Sequence, residues 1–339
     1  MSRTFASLRR RLEATAHTVA DELLTRVIGG PKMYARGFGS LQELDTLVDR
    51  VRTYDPSRPP ARLQMRWTDE TKGRRARIRR GTFESPAADI LPPRTRTGHV
   101  ELHEPLQGAS GRVCVLLAAT GEEGYALRRR LVGDLLREGI GALLLENPFY
   151  GVRRPEGQTL SLLRTVRDQF AMNTATVDEA RALLRWLRDE GFVPGASGYS
   201  QGGMMTAFAA ALSDFPVAAV PCASGLRAGP VFTENALQRR FDWDALARTF
   251  GSEGAARRHF AACLDPVDVG RFAPPAHPAS AIVVGSRYDG YIPEHEVEAL
   301  HAHWPGSELR WVPTGHLTGA VLAKRAHLRA IVDAFDRLP

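Results

Sequence analysis

The stretch Gly198-Tyr199-Ser200-Gln201-Gly202, followed by Gly203, places a serine between two glycines. The spacing G-x-S-x-G predicts a nucleophile elbow, a sharp strand-to-helix turn with the hydroxyl at its tip. A serine held this way occupies a strained backbone conformation, and side chains at positions 198 and 202 would collide with the neighbouring strand and helix. Met204, Met205, Phe208, Ala209 and Leu212 follow at helical spacing, so the turn aims a helix N-terminus at the reacting atom. A serine hydroxyl is a poor nucleophile at neutral pH. It needs an imidazole to take its proton and a carboxylate to orient that imidazole.

Two later stretches carry those groups: Arg287-Tyr288-Asp289-Gly290-Tyr291-Ile292-Pro293 and Thr314-Gly315-His316-Leu317. Each follows a run that reads as a strand, residues 281–285 and 308–312, and the order Ser, Asp, His suits a triad built on the carboxyl ends of a parallel sheet. Ser200, Asp289 and His316 are therefore the candidate catalytic residues. Asp265 or Asp268 as acid, and His295 or His301 as base, are the rivals; both histidines fall in an expected helix over 294–303. An oxyanion would need backbone donors. One expected donor is the N–H of Gln201. The other comes from the loop Ala119-Thr120-Gly121, with Thr120 first and Gly121 second.

A further stretch, Glu146-Asn147-Pro148-Phe149-Tyr150-Gly151-Val152-Arg153-Arg154-Pro155, follows the apolar run 142–145 and so falls at the same sheet edge. One reading is a tight turn closed by Pro148 and Gly151. The functional reading has Tyr150 lining a substrate pocket and Arg153 or Arg154 pairing with an anionic headgroup or carboxylate. No His, Cys and carboxylate set has metal-ligand spacing, and no dinucleotide fingerprint is present, so neither a metal nor a cofactor is expected.

These groups need a scaffold. Continuous apolar runs at 113–118, 142–145, 217–220 and 281–284 suit strands buried on both faces of a parallel sheet. Helical patterns at 125–138, 163–190 and 201–212 separate them. Before them, residues 62–67, 77–83 and 99–102 read as antiparallel strands. The expected class is α/β, a mostly parallel doubly wound sheet with antiparallel N-terminal strands. The strand leading into Ser200, Val193-Pro194-Gly195-Ala196-Ser197, has little β propensity and is expected from the elbow that follows it. Residues 224–277 break the strand pattern with a helical, aromatic insert placed where a cap would lie over the site. The domain expectation is an N-terminal helical extension over 1–60, with helices at 7–28 and 41–51, and one catalytic domain over 61–339.

Composition narrows the class. The chain has 339 residues, 43% apolar and 24% charged, which suits a globular protein with a large core. The net charge is +7, carried almost wholly by arginine: the lysines are Lys32, Lys72 and Lys324. No nucleic-acid-binding module accompanies that charge. Three separated cysteines, Cys114, Cys222 and Cys263, argue against a disulfide framework. The N-terminal stretch has Arg9-Arg10-Arg11 but no apolar signal region, and no stretch reads as a membrane span, so a cytoplasmic location is expected. Peripheral membrane contact through the basic N-terminal helix is a secondary expectation.

The chain resembles the alpha/beta-hydrolase domain-containing protein 18 family. The resemblance rests on Gly81-Thr82-Phe83-Glu84-Ser85-Pro86, Ala119-Thr120-Gly121-Glu122, Glu146-Asn147-Pro148-Phe149-Tyr150-Gly151, Gly198-Tyr199-Ser200-Gln201-Gly202-Gly203, Asp289-Gly290-Tyr291-Ile292-Pro293 and Gly315-His316, and covers roughly residues 37–338. It implies an alpha/beta-hydrolase fold with Ser200 as nucleophile and Asp289 and His316 at the other triad positions. Ala118 and Ala119 stand where many lipases and esterases have His-Gly, which leaves the second oxyanion donor open. The expected activity is a serine hydrolase acting on a carboxylic ester, small or lipid, through an acyl-enzyme. The alternatives are an acyltransferase with the same triad and a catalytically silent protein that binds a lipid or a partner.

Overall fold

The apolar runs form the centre of a nine-stranded sheet in a computed structural model that describes His17, Asp21, residues 32–158 and residues 162–339. The parallel strands are β4 (Arg112–Leu117), β5 (Gly141–Leu145), β6 (Val193–Tyr199), β7 (Ala218–Cys222), β8 (Ile282–Ser286) and β9 (Glu308–Val312). Ahead of them run β1 (Arg66–Lys72), β2 (Ala76–Glu84) and β3 (Thr97–Pro105), antiparallel to one another, with β3 antiparallel to β5. The order across the sheet is β1-β2-β3-β5-β4-β6-β7-β8-β9. The chain moves outward from β4 to β5, then returns to place β6 on the other side of β4. A sheet of this kind opens a crevice at that reversal, beyond the strand carboxyl ends.

Helices cover both faces. On one face lie α1 (Leu41–Arg52), α3 (Val166–Asp189) and α4 (Gln201–Ala211); on the other lie α2 (Arg129–Arg137) and α10 (Lys324–Asp336). Between β7 and β8 the insert forms α5 (Ala228–Thr233), α6 (Trp243–Phe250) and α7 (Glu253–Leu264), and α8 (Glu294–His303) and α9 (His316–Leu322) follow β8 and β9. The aromatic residues of the insert pack on each other and on the N-terminal segment: Phe241 has its ring centre 5.6 Å from Phe260 and 5.0 Å from Tyr34. Backbone bonds link Met33 to Arg240 and Asp242. Residues 33–48 thus share the core of the main domain rather than standing off from it. The expected helix over 7–28 lies outside the described residues apart from His17 and Asp21, both helical.

Three boundaries differ from expectation. β1 begins at Arg66 and continues through polar residues to Lys72, where residues 62–67 were the expected strand. As an edge strand with an exposed face it has no apolar alternation to read, and Arg80–Asp69 is an ion pair across it. The final helix, which the sequence pattern predicts as one over about 318–338, is two, broken at Ala323. The helix expected from 125 starts at Arg129, because Arg128 turns inward and donates to the carbonyls of Leu116 and Leu145.

β6 forms despite its glycines because its neighbours need them. A Cβ at Gly195 would lie 2.4 Å from the Phe335 ring on α10. Tertiary fit overrides propensity in a strand paired on both sides. Among the described residues, no helix is long and apolar enough to cross a membrane.

Candidate active site

Ser200 stands between β6 and α4 with φ 56° and ψ −117°, a left-handed value that a serine adopts only where its surroundings enforce it. Here they do. A Cβ at Gly198 would lie 2.4 Å from the backbone of Gly202, and one at Gly202 would lie 2.4 Å from the Leu117 carbonyl oxygen. The Ser200 N–H donates to the Cys222 carbonyl at 2.9 Å. With β4, α4 and β7 pressed together around it, the hydroxyl is the part of the residue that is directed outward.

His316 opens α9 just beyond β9, and Asp289 lies in the turn just beyond β8. The imidazole Nε2 is 2.9 Å from Ser200 Oγ, and Nδ1 is 2.8 Å from Asp289 Oδ2. The other carboxylate oxygen, Oδ1, accepts from the N–H groups of Tyr291 and Ile292, each at 2.8 Å. The carboxylate is fixed on both oxygens and the imidazole on both nitrogens. The His316 and Asp289 side chains are only 5% and 3% exposed, so this chain of bonds runs in a setting where water competes little. Such an arrangement can move a proton from Ser200 to His316 while Asp289 holds the ring.

The surroundings of the imidazole were not visible in the sequence. Tyr291 lies against its face with ring centres 4.6 Å apart, and the Tyr199 hydroxyl donates to the His316 carbonyl at 2.6 Å. Burial raises the Tyr199 phenol well above its ordinary value, so it stays a donor. The Gln201 side chain has a structural part as well: its Oε1 accepts from the Thr120 hydroxyl at 3.0 Å and its Nε2 donates to Asn173 Oδ1 at 2.8 Å, tying the loop after β4 to α3. Gln201 is the first residue of α4, so its own N–H has no acceptor within the helix. Thr120, Ser200 and Gln201 line one cavity. Gly121, φ 80°, turns its N–H toward the Tyr150 hydroxyl, outside full hydrogen-bond geometry.

That cavity runs from Ser200 along α4, past Met204 and Phe208 to Leu212. The twelve helical steps from Ser200 to Leu212 span about 18 Å. Phe170 and Val177 of α3 form one wall, and Val231, Phe232 and Phe260 of the insert form another. The insert therefore both packs on its own aromatic residues and covers the cavity.

The arginine loop is placed differently from the functional expectation. Arg153 is fully buried. Its Nη1 and Nη2 reach the two oxygens of Glu179 at 2.7 and 2.6 Å, and its remaining donors go to the carbonyls of Thr95 and Glu146. All five N–H groups are used, which leaves none for an anionic ligand. Arg154 pairs with Glu123. Tyr150 is fully buried and does not line the cavity at Ser200. This loop is a tight turn: Gly151 has φ 51°, and a Cβ there would lie 2.3 Å from Glu146 Oε1. The rival residues are occupied elsewhere. Asp268 accepts from the Gly270 N–H, Asp265 ends α7 in solvent, His295 is exposed, and His301 bonds Ser307. The three cysteines are free and buried. Among the described residues, no group of three or more His, Cys, Asp or Glu is placed to hold a metal ion.

Comparison with known proteins places this architecture. The family model for alpha/beta hydrolase domain containing 18 matches residues 31–254 and 248–337. Among solved structures, an acetyl xylan esterase from Paenibacillus sp. R4 is similar at 15% identity and a TM-score of 0.57, over 88% of this chain and 96% of that one. A cold-adapted esterase from an Arctic intertidal metagenomic library is similar at 17% identity and a TM-score of 0.53, over 81% and 100%. The alpha/beta hydrolase GrgF from Penicillium sp. sh18 is similar at 17% identity and 0.53, over 77% and 98%. These likenesses show an alpha/beta-hydrolase fold.

Proposed function

The chain belongs to the alpha/beta hydrolase domain containing 18 family, and from that premise we propose that it is a serine hydrolase cleaving a carboxylic ester with an aliphatic acyl chain. The observation that carries the reading is the unbroken chain Ser200 Oγ, His316, Asp289, with bonds of 2.9 and 2.8 Å, beside an apolar cavity.

In the proposed mechanism Ser200 Oγ attacks the ester carbonyl while His316 Nε2 takes its proton. Asp289 keeps the other ring nitrogen protonated and stabilises the imidazolium. The negative charge on the carbonyl oxygen is met by the N–H of Gln201, at the positive end of α4, and by that of Thr120. His316 then returns the proton to the departing alkoxide, leaving an acyl-serine. Water, deprotonated by the same imidazole, releases the acid and restores Ser200. The acyl chain lies along α4, where each methylene buried contributes about 0.8 kcal/mol. Two of the structures it resembles are esterases, which supports this chemistry, and the cavity lining favours an acyl group longer than acetyl.

A fluorophosphonate probe tests the reaction class. The wild-type protein should take the label and Ser200→Ala should not. An unlabelled wild type, or equal labelling of both, overturns the reading.

A further inference from the structure

The carboxylate of Asp21 belongs to a residue outside the span matched by the family model, 31–254 and 248–337. Asp21 is helical and fully buried. Its Oδ2 accepts from the N–H of His316 at 2.7 Å and from that of Gly290 at 3.0 Å; its Oδ1 accepts from the N–H of Leu317 at 3.0 Å. One side chain from the N-terminal segment thus bonds the backbone of both turns that carry the candidate acid and base. Gly290 follows Asp289 directly, and His316 is the base itself.

The need for such a group follows from the sequence. The first N–H groups of a helix have no acceptor within it. A serine, threonine or aspartate before the helix usually supplies one. Here the preceding residue is Gly315, which has no side chain to do so. The Thr318 hydroxyl takes the Gly315 N–H at 3.0 Å, which leaves the His316 and Leu317 donors to Asp21. The fit is close: a Cβ at Gly315 would lie 2.8 Å from Asp21 Oδ2, and one at Gly290 would lie 3.1 Å from the Asp21 Cβ. One turn earlier, His17 extends the same contact. Its Nδ1 is 3.1 Å from the Thr318 hydroxyl, and its ring stacks on Tyr288 at 5.7 Å.

We propose that Asp21 is a positioning residue: its carboxylate ties the Asp289 turn to the first turn of α9 and so sets the distance between the imidazole and its two partners. Before the acid and base the two turns are already joined, the Tyr288 N–H donating to the Thr314 carbonyl at 3.0 Å; Asp21 adds the link on the far side, at Gly290, His316 and Leu317, where the turns lead into the groups that must meet. A negative charge also offsets the partial positive charge of the α9 N-terminus beside the imidazole. The functional consequence rests on the serine-hydrolase reading; the geometric one does not.

The test compares the full chain with Asp21→Ala and Asp21→Asn. Active sites are first titrated with the fluorophosphonate, so that rate is counted per competent serine. The expected result for Asp21→Ala is a kcat lower on the order of 10²-fold per titrated site, with KM unchanged, the size of effect that a misplacement of about 1 Å produces. Asp21→Asn keeps one oxygen for Gly290 and His316 but turns an N–H toward Leu317, and should fall between. Wild-type kcat per site in Asp21→Ala overturns the proposal. So does a loss confined to the number of titratable sites, since that marks a residue needed only for folding. If the wild type itself takes no label, the hydrolase reading fails, and Asp21 is judged by proton NMR. The low-field signal of the His316 Nδ1 proton, assigned with His316→Gln, should be lost in Asp21→Ala; its retention overturns the proposal.

Discussion

The Arg153–Glu179 pair and the Ser200–His316–Asp289 chain are both buried, both bear ionisable groups, and both lie beyond the carboxyl ends of sheet strands. In the first, every guanidinium N–H is bonded, and Glu179 Oε1 takes the Ser85 hydroxyl at 2.6 Å as well. In the second, Asp289 and His316 are held on every side, but the Ser200 hydroxyl still opens on a cavity. Burial and charge are common to both. The difference is an unfilled bonding direction facing space that a substrate can enter. A saturated cluster locks loops together; one left open at a single atom can do chemistry.

Breaking the open cluster should have the largest effect. Ser200→Ala is expected to lower kcat by on the order of 10⁶ with unchanged thermal unfolding, read from ester hydrolysis and calorimetry side by side. Asp289→Asn keeps the shape but presents an N–H to the imidazole and favours the wrong tautomer; about 10⁴ in kcat should be lost. Breaking the closed cluster should act on stability instead. Arg153→Met leaves the Glu179 charge buried and unpaired and is expected to cost about 3–5 kcal/mol in urea unfolding. Activity per titrated serine should stay near wild type. Adding Glu179→Leu should recover much of that loss, which would establish that the pair serves packing and not recognition.

A histidine near the site sharpens the contrast. The Tyr199 ring lies 5.4 Å from both His316 and His327. Among the described residues His327 has no charged partner, and burial lowers its imidazole from 6.5 to about 4. Because the folded value is the lower one, the unfolded chain binds the proton first. Stability should therefore decline as pH falls from about 6.5 toward 4 and level off below, and His327→Phe should flatten that part of a pH series of melting curves. The smallest effect concerns the open side. Across p-nitrophenyl esters of rising chain length, kcat/KM should climb by about fourfold per methylene until the cavity along α4 is filled, then fall. A flat series would remove the acyl-chain part of the proposal.

Much of this was legible in the chain because local patterns dictated it. The buried strands announced themselves as apolar runs, β9 and α8 fall where periodicity put them, and Ser200, Asp289 and His316 could be paired because strand ends in a parallel sheet converge. What was not legible depends on partners far away. An arginine in a loop after Gly151 reads as exposed; its burial is decided by Glu179 on α3 and by the carbonyl of Thr95. Tyr150 looked like a pocket residue for the same reason. The glycines of β6 read as a weak strand until Phe335, 140 residues later, is seen to occupy the room. Asp21 has no motif at all, since its acceptors serve N–H groups 269 to 296 positions away.

The sheet order has a consequence for the chain as it is made. Ser200 and its elbow need only β4, β6, α4 and β7, which are complete by Cys222. The proposed acid and base arrive with β8 and β9, the outermost strands on that side and the last to emerge. The proposed triad therefore cannot form until the chain has been made past His316, close to its C-terminal end. A chain cut short after β7 but before β9 would carry the serine but neither a complete sheet nor the proposed base.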